Sequence, residues 1–312
     1  MNAPRTRVQR RPVHGVLLLD KPLGLTSNNA LQKCKWLLRA EKAGHTGTLD
    51  PLATGVLPLC FGAATKFSQL QLDADKTYEA TIRLGVKTST ADAEGEVIET
   101  RAVPSISPAT LAEVARRFTG PIRQVPPMHS ALKKDGKPLY EYARAGEEVE
   151  REAREVVIHE IELELIDAGT IRLRAKVSKG TYIRTLGEEI GESLGCGGHL
   201  TSLRRVATGN FDISQCTTLD RLEAMPEGDR LACLEPVDAL LPGHEHVTLD
   251  SENAGRFLSG LRRRGPWKDS EQVAVFDPGR SLLGTAHVKG GELIPGRLLS
   301  PIEIQQILET QS

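Results

Sequence analysis

The feature that most limits the fold of this chain is residues 44–67, GHTGTLDPLATGVLPLCFGAATKF. Glycines and two prolines interrupt a run that is otherwise apolar and would form a regular strand or helix. Glycine permits unusual backbone angles and the close approach of another backbone, while Pro51 restricts Asp50 to extended geometry. The pattern predicts an ordered loop that presents a side chain instead of burying it.

Asp50 is the candidate reactive group of this loop. Together with His45, Thr46 and Thr48 it forms a polar set among Leu, Ala and Val residues, which indicates a polar group aimed into a shielded pocket. A lone aspartate is also an ordinary cap or turn residue. Spacing alone leaves that second interpretation open.

A carboxylate that acts as a nucleophile needs a cation beside it. Burial in an apolar pocket raises the pKa of an acid and a nearby cation lowers it, so the cation keeps the nucleophile ionised. Arg184 is our first candidate because it follows Tyr182 at the start of an apolar helix face. Arg83 and Lys66 are the alternatives.

Apolar periodicity predicts a mixture of strands and helices along the chain. Ser27 is the expected N-cap of the first helix, and Tyr78 shares the buried face of a strand with Ala80, Ile82 and Leu84. We predict strands at residues 15–19, 76–86, 156–166 and 170–178, helices after residue 27, at 107–118 and within 179–195, and short strands beyond residue 245.

Length and composition indicate a folded chain of two unequal units. The chain has 312 residues, of which 39% are hydrophobic and 26% charged, values close to those of ordinary globular proteins. We place a boundary near residue 245. No run of about 18 apolar residues is present and the N-terminus lacks the apolar core of a secretory signal, so we expect a cytoplasmic protein. The five cysteines are scattered without a C-x-x-C pair, and we expect them to be reduced and mostly buried.

Several classes of chemistry lose support from missing motifs. The sequence contains no G-x-G-x-x-G, G-x-x-x-x-G-K-[ST], H-E-x-x-H or G-x-S-x-G, which argues against nucleotide cofactors, catalytic zinc and serine hydrolysis. A net charge of −1 means that any binding of nucleic acid must come from local basic patches. The three candidate patches are Arg5, Arg7, Arg10 and Arg11; Lys133, Lys134, Lys137 and Arg144; and Arg256, Arg262, Arg263, Arg264 and Lys268.

Six segments in the first 210 or so residues resemble the TruB family of tRNA pseudouridine synthases. They are DKPLGLTS, GHTGTLDPLATGVLPLCFGAATK, KTYEATIRLG, PPMHSALKKDGKPLYEYAR, VSKGTYIRTLGEEIG and GGHLTSLRR, in the order of the family. The second segment is long and unusual enough to exclude chance, whereas the KP and SLRR pieces mean little alone.

The resemblance implies isomerisation of uridine 55 in the T-loop of tRNA to pseudouridine, without cofactor or metal. It assigns Asp50 as the nucleophile, Arg184 as the residue that holds it charged, and Tyr78 as the tyrosine that stacks on the target uracil. Whether the aspartate attacks base or sugar is left open. The implied substrate-binding residues are His45, Tyr182, Leu203, Lys21, Lys133, Lys134, Lys137 and Arg144. Among these, we expect Lys21 to support the active-site loop more than to touch the substrate.

The resemblance also implies an α+β fold with a mixed, largely antiparallel central sheet flanked by helices. The expected organisation is a basic flexible tail at residues 1–12, a pseudouridine synthase catalytic domain at 13–244 with an RNA-binding insertion at about 104–154, and a small β-rich, PUA-like RNA-binding domain at 245–312. The expected partner is the T-arm of tRNA, bound by a monomer with no guide RNA, protein partner or membrane.

One departure and two rival functions remain. His129 stands where relatives usually carry an aromatic residue such as tyrosine, which puts an aromatic contact from that segment in doubt. The first rival is an enzyme that modifies ribosomal RNA under a guide RNA; the inserted segment at residues 107–154, typical of stand-alone enzymes, disfavours it. The second rival is a non-catalytic RNA-binding or RNA-folding protein, and an accompanying tRNA-folding activity is also expected from the family.

Overall fold

The computed structural model describes residues 9–311. Most of the predicted basic tail, including Arg5 and Arg7, lies outside the described residues. The helices are α1 (Ser27–Leu37), α2 (Ser68–Asp73), α3 (Pro108–Phe118), α4 (Leu139–Arg144), α5 (Ile183–Ser193), α6 (Leu219–Ala224), α7 (Ser251–Leu258) and α8 (Pro301–Gln311). Short 3-10 helices lie at Gly62–Lys66, Ile213–Gln215, Glu227–Cys233 and Val237–Leu240.

Two main sheets organise the described residues. The strands are β1 (Gly15–Lys21), β2 (Ala43–His45), β3 (Ala53–Phe61), β4 (Lys76–Leu84), β5 (Val86–Thr88), β6 (Val97–Thr100), β7 (Gly120–Gln124), β8 (Lys133–Lys134), β9 (Lys137–Pro138), β10 (Arg154–Asp167), β11 (Thr170–Val177), β12 (Gly198–Thr208), β13 (Phe211–Asp212), β14 (Thr217–Thr218), β15 (Leu234–Glu235), β16 (Glu245–Thr248), β17 (Arg263–Arg264), β18 (Ser270–Phe276), β19 (Leu282–Lys289) and β20 (Glu292–Leu298). The larger sheet runs β14-β1-β3-β12-β4-β11-β10-β7.

The larger sheet is mixed and mostly antiparallel, as predicted. Among the described strands of this sheet, only the pairs β1–β14 and β12–β3 are parallel. The pairs β12–β4, β4–β11 and β11–β10 form a long antiparallel stretch at its centre. The predicted α+β class is therefore confirmed.

The prediction of a loop at residues 44–67 is wrong in its second half. There the chain forms β3, a strand between β1 and β12, and residues Val56 to Phe61 are fully buried or nearly so. Because both faces of β3 are covered, its apolar residues do not alternate with polar ones, and such a run carries no strand periodicity. The irregular part ends at Ala53, so Asp50 lies just before the strand.

The strand that carries Tyr78 was predicted correctly. β4 alternates along its length, and Tyr78, Ala80, Ile82 and Leu84 are buried on one face. Their side chains form one core with residues of α1, α3 and α5. These three helices therefore cover the same face of the sheet as Tyr78.

Alternate residues of β1 separate two cores. Leu17 and Leu19 belong to the core beneath α1, α3 and α5. Val16 and Leu18 point the other way and pack in a second core with Ala274 and residues of the smaller sheet. This core joins the two sheets.

The smaller sheet has the strand order β16-β18-β19-β20-β17 and begins at Glu245. It is packed with α7 and α8, through residues such as Phe257 and Ile304. Polar contacts also tie α8 to the larger unit, since Lys66 Nζ lies 2.6 Å from Glu303 Oε2. Within residues 9–311, no helix has the length and apolar character needed to span a membrane.

Candidate active site

Asp50 faces a cavity of about 330 Å³ on the helix-covered side of the larger sheet. Three segments line the cavity: the loop before β3, the start of α5, and the segment between β7 and α4. Tyr78 of β4 and Leu203 of β12 form its floor. The cavity combines apolar walls with a few polar groups, which is typical of ligand sites.

The turn before α1 fixes the loop that carries Asp50. α1 begins at Ser27, but its N-cap is Thr26, whose Oγ1 accepts from Asn29 N at 3.0 Å; the predicted N-cap Ser27 is therefore wrong. Ser27 instead accepts from Leu49 N at 2.7 Å and donates to Leu49 O at 3.0 Å. Because its hydroxyl holds both backbone groups of Leu49, Ser27 is not free to cap the helix.

Arg184 contacts three separate segments of the chain around Asp50: the loop before β3, the stretch at residues 90–92, and the stretch that contains His129. Its Nε lies 3.0 Å from Asp50 Oδ2, and its Nη1 lies 3.6 Å from Asp92 Oδ2. Nη1 also donates to Thr90 O at 3.1 Å, and Nη2 donates to His129 O at 2.7 Å. The first-choice partner of Asp50 is therefore in contact with it, and one guanidinium faces two carboxylates.

Burial and charge act in opposite directions on Asp50. The side chain of Arg184 is 6% exposed and that of Asp50 is 40% exposed. Desolvation raises the pKa of Asp50, Arg184 lowers it, and Asp92 raises it again. Arg184 is therefore the main group that favours the ionised form, with a smaller effect from Lys21, and on balance the pKa of Asp50 is raised.

Asp92 is a residue of the site that the sequence analysis missed. Its side chain is 3% exposed, and its Oδ1 accepts from Thr90 Oγ1 at 2.5 Å and from Glu94 N at 3.0 Å. In the sequence it lies in a polar stretch, TSTADAEGEV, which is typical of a solvated turn. No local pattern distinguishes Asp92 from the other acidic residues of this stretch.

Gln124 was also missed. It is 1% exposed at the end of β7, and its side chain accepts from Tyr182 N at 3.0 Å and donates to Tyr182 O at 3.3 Å. The pair of bonds fixes the backbone at the residue that precedes α5. Tyr182 and Arg184 are therefore held at the cavity by contact with a strand distant in sequence.

Only some of the predicted substrate-binding residues line the cavity. Tyr182 and Leu203 line the cavity, but His45 in β2 is not among the residues that do so. Desolvation lowers the pKa of His45, and Arg205 adds to the effect. Its Nδ1 is buried without a hydrogen-bond partner among the described residues.

Lys21, which we expect to support the active-site loop more than to touch the substrate, is fully buried. Its Nζ donates to Pro22 O at 2.9 Å and to Leu25 O at 2.5 Å. Burial lowers its pKa to about 8. The turn held by Lys21 is itself hydrogen-bonded to the loop that carries Asp50, because Gly24 N donates to Pro51 O at 2.8 Å.

The predicted basic residues of the insertion lie on a surface beside the cavity. Lys133 and Lys134 are exposed in the β8–β9 hairpin. Lys137 lies over the ring of Tyr142 at 4.3 Å, and the Arg144 guanidinium lies 5.3 Å from the centre of the Tyr140 ring. Because His129 and Leu132 line the cavity itself, this basic surface is continuous with it.

Several arginines of the other two basic patches already form ion pairs or hydrogen bonds within the protein. In the C-terminal patch, Arg262 and Arg264 both pair with Glu292, and Arg256 pairs with Glu252. In the N-terminal patch, Arg10 Nη1 donates to Ala40 O and Arg11 Nε to Leu38 O. A run of basic residues in the sequence does not show which partner groups the fold places beside it.

The burial of the cysteines agrees with the expectation that most of them are buried. All five cysteines are free, with Cys34, Cys60 and Cys196 buried and the other two half-buried. Across the described part of the chain, no three His, Cys, Asp or Glu side chains are grouped so that they could hold a metal ion.

The chain belongs to the TruB family of pseudouridylate synthases. Residues 35–183 match the TruB family pseudouridylate synthase (N terminal domain), and residues 184–242 match the tRNA pseudouridylate synthase B C-terminal domain. A relative from Verminephrobacter eiseniae named tRNA pseudouridine synthase B is 64% identical over 99% of this chain and 96% of its own length. One of the same name from Ralstonia pickettii is 58% identical over 93% of this chain and 95% of its own length.

A solved structure supports the same fold. The crystal structure of a Cbf5-Nop10-Gar1 complex contains a chain that superposes with a TM-score of 0.70 at 26% identity. The match covers 92% of this chain and 85% of that one. The similarity therefore extends beyond the larger sheet to most of the C-terminal unit.

Proposed function

We propose that this protein isomerises uridine 55 in the T-loop of tRNA to pseudouridine, with Asp50 as the nucleophile. The observation that carries the proposal is the carboxylate of Asp50, paired with buried Arg184 at a cavity whose floor is Tyr78 and Leu203. The names of the relatives supply the reaction and the substrate class. The isomerisation breaks the N1 to C1′ bond, turns the base and forms a C5 to C1′ bond. The C5 hydrogen leaves as a proton and N1 takes one up, so no oxidant or reductant is needed.

The cavity suits a nucleotide whose base has left its stacked position in the RNA loop. Extruding a base from a folded loop costs a few kcal/mol, and an aromatic side chain returns roughly 1 to 3 kcal/mol by stacking. Tyr78 is the aromatic residue on the cavity floor and is 8% exposed. One tyrosine roughly offsets the extrusion, so phosphate contacts must provide most of the affinity. The β8–β9 surface is our candidate for these contacts.

The remaining assignments are part of the same proposal. The protein works as a monomer in the cytoplasm, on the T-arm, without guide RNA, protein partner, metal or cofactor. Residues 13–244 act as the catalytic domain, with residues 104–154 as an RNA-binding insertion, and residues 245–312 as a PUA-like domain. The experiment that tests the proposal supplies a bare T-arm stem-loop to the purified chain: conversion supports it, and a need for a guide RNA favours the rival enzyme class.

Replacing Asp92 by Asn should move the acid limb of the reaction to lower pH. Asp92 raises the pKa of Asp50 through its negative charge, so removing that charge lowers the pKa and Asp50 becomes ionised at lower pH. The plateau rate should fall, because Arg184 loses one of its two carboxylate partners. Single-turnover rates between about pH 4 and pH 8 measure both effects. A limb that stays in place or moves upward would show that Asp92 does not act on Asp50.

Replacing Lys133 and Lys134 by Ala should weaken tRNA binding and flatten its salt dependence. Each phosphate contact adds roughly 0.7 to 0.9 to the slope of log affinity against log salt, so loss of two contacts should lower the slope by about 1.4 to 1.8. The matched control replaces Arg172 and Arg174, which pair with Glu164 and Glu79 on the opposite face of the sheet. Equal slopes for the lysine variant and the native chain would count against this surface.

A further inference from the structure

Arg205 is a buried arginine directly beneath the loop that carries Asp50. It lies in β12 and is 1% exposed. Its Nε donates to Val56 O at 2.7 Å, and its Nη2 donates to Gly47 O at 3.2 Å. Two backbone carbonyls, Gly47 O in the loop and Val56 O in the following strand β3, are therefore bonded to one side chain.

The environment of this guanidinium is unusual. No Asp or Glu among residues 9–311 lies within 4.0 Å of it, although the next residue, Arg204, has Asp20 Oδ2 at 2.7 Å. A buried charge without a counter-ion is costly unless hydrogen bonds compensate it. The carbonyls of Gly47 and Val56 supply that compensation, so retaining the charge requires the loop to stay against it.

The loop is shaped to sit on Arg205. Gly47 has φ +82°, and a Cβ there would lie 3.2 Å from Arg205 Nη1. Gly55 has φ +102°, and a Cβ there would lie 2.1 Å from Arg205 O. Both glycines favour this approach, since L side chains rarely adopt positive φ. At Gly55 a side chain would also overlap the backbone of Arg205, whereas at Gly47 it would press against the guanidinium.

We propose that Arg205 is a positioning residue that fixes Asp50 by fastening both ends of the segment between Gly47 and Val56. Asp50 lies within this segment, and Arg205 is not among the residues that line the cavity. It therefore acts through the backbone and touches no reacting atom. The inference rests on the proposed function only in so far as Asp50 is the reactive group.

The first test compares Arg205→Met and Arg205→Lys with the neighbouring Arg204→Met as a control. Arg204 is half-exposed and forms its ion pair with Asp20. Its Nη1 also donates to the side chain of Thr54 in β3 at 3.2 Å, so the control removes a side-chain contact with the segment but no bond to its backbone. Methionine retains the bulk of Arg205 but neither hydrogen bond. We expect its single-turnover rate to fall about 100-fold, the loss expected when a reacting group shifts by about 1 Å. Affinity for the T-arm stem-loop should be unchanged, Arg205→Lys should recover part of the rate, and Arg204→Met should react like the native chain.

The second test does not depend on activity. Two amides of the segment donate outside the sheet ladder, Leu49 N to Ser27 Oγ and Ala53 N to Asp50 O, and the amide of Thr46 just before it donates to Pro58 O. In Arg205→Met, amides in peptides that cover this segment should exchange with deuterium roughly tenfold faster than in the native chain. In Arg204→Met they should not, and peptides that cover α7 should exchange equally in all variants.

The outcomes separate this inference from the proposed function. If Arg205→Met does not fold, Arg205→Lys carries the test, because one ammonium cannot reproduce both guanidinium bonds; it should show faster loop exchange and a lower rate. Native-like rates or native-like loop exchange in the folded Arg205 variants would overturn the inference and leave the proposed function intact. Failure of the native chain to react would overturn the proposed function, and the exchange result would still decide whether Arg205 fastens the loop.

Discussion

Asp50→Asn should abolish turnover while leaving RNA binding intact. Asparagine has the size of aspartate but no anionic oxygen, so the variant keeps the shape of the cavity and loses the nucleophile. We expect the single-turnover rate to fall by at least about 10⁴-fold. Binding of the T-arm stem-loop should be equal to that of the native chain, because affinity comes mostly from stacking and phosphate contacts.

A second carboxylate near the site provides the control. Desolvation is the main cause of the raised pKa of Glu94, and the negative charge of Asp50 also raises it. The side chain of Glu94 does not line the cavity. Glu94→Gln should keep most of the activity. Equal losses in the two variants would mean that the local negative charge matters and that Asp50 is not the nucleophile.

Arg184→Met should have the second largest effect and should change the pH dependence in the opposite sense to Asp92→Asn. Arg184 lowers the pKa of Asp50, so its removal raises that pKa and moves the acid limb to higher pH. The rate at the plateau should fall about 10²- to 10³-fold, as when a preorganised charged donor is removed from an active site. Arg184→Lys should recover little, since one ammonium cannot bond to three separate segments.

Arg83→Met is the matched control for Arg184. Arg83 was an alternative partner for Asp50, but it is an exposed residue of β4 on the face opposite Tyr78. Its replacement should leave both the plateau and the acid limb unchanged. An acid limb that does not move in Arg184→Met would contradict the assigned role, whatever the loss of rate.

The sequence predicted the residues that face the cavity better than the backbone that holds them. The alternation of β4 placed Tyr78 on the buried face, and the apolar period of residues 183–194 placed Arg184 at the start of a helix. Both signals are local and repeat along the chain. The position of Asp50 beside Arg184 was inferred from chemical need and family resemblance, because no local pattern joins residues so distant in sequence.

The errors and omissions have a common physical cause. The sequence of β3 predicts a loop because a strand covered on both faces has no alternation of apolar and polar residues. Asp92, Gln124 and Arg205 were missed because their roles depend on tertiary contacts: with Arg184, with the backbone of Tyr182, and with the loop before β3. Each is a buried polar residue, which only a three-dimensional structure distinguishes from a solvated one.

The basic patches illustrate the same limit for electrostatics. The run RRR at residues 262–264 carries no acidic neighbour in sequence, but the β20 residue Glu292 approaches Arg262 and Arg264. Lys133 and Lys134 remain exposed in β8 without a carboxylate partner among the described residues, and Lys134 Nζ donates only to the backbone carbonyl of Glu150 at 3.0 Å. Their surface is therefore the stronger candidate for phosphate contacts.

The most direct measurement is tritium release from C5-labelled uridine in a T-arm stem-loop, using the purified chain in EDTA with no added cofactor. We expect release from the stem-loop that carries labelled uridine at the target position, no release when that position alone is left unlabelled, and none with Asp50→Asn. Tight binding of the stem-loop by the native chain without any release would contradict it, and would indicate an RNA-folding protein or an enzyme that needs a guide.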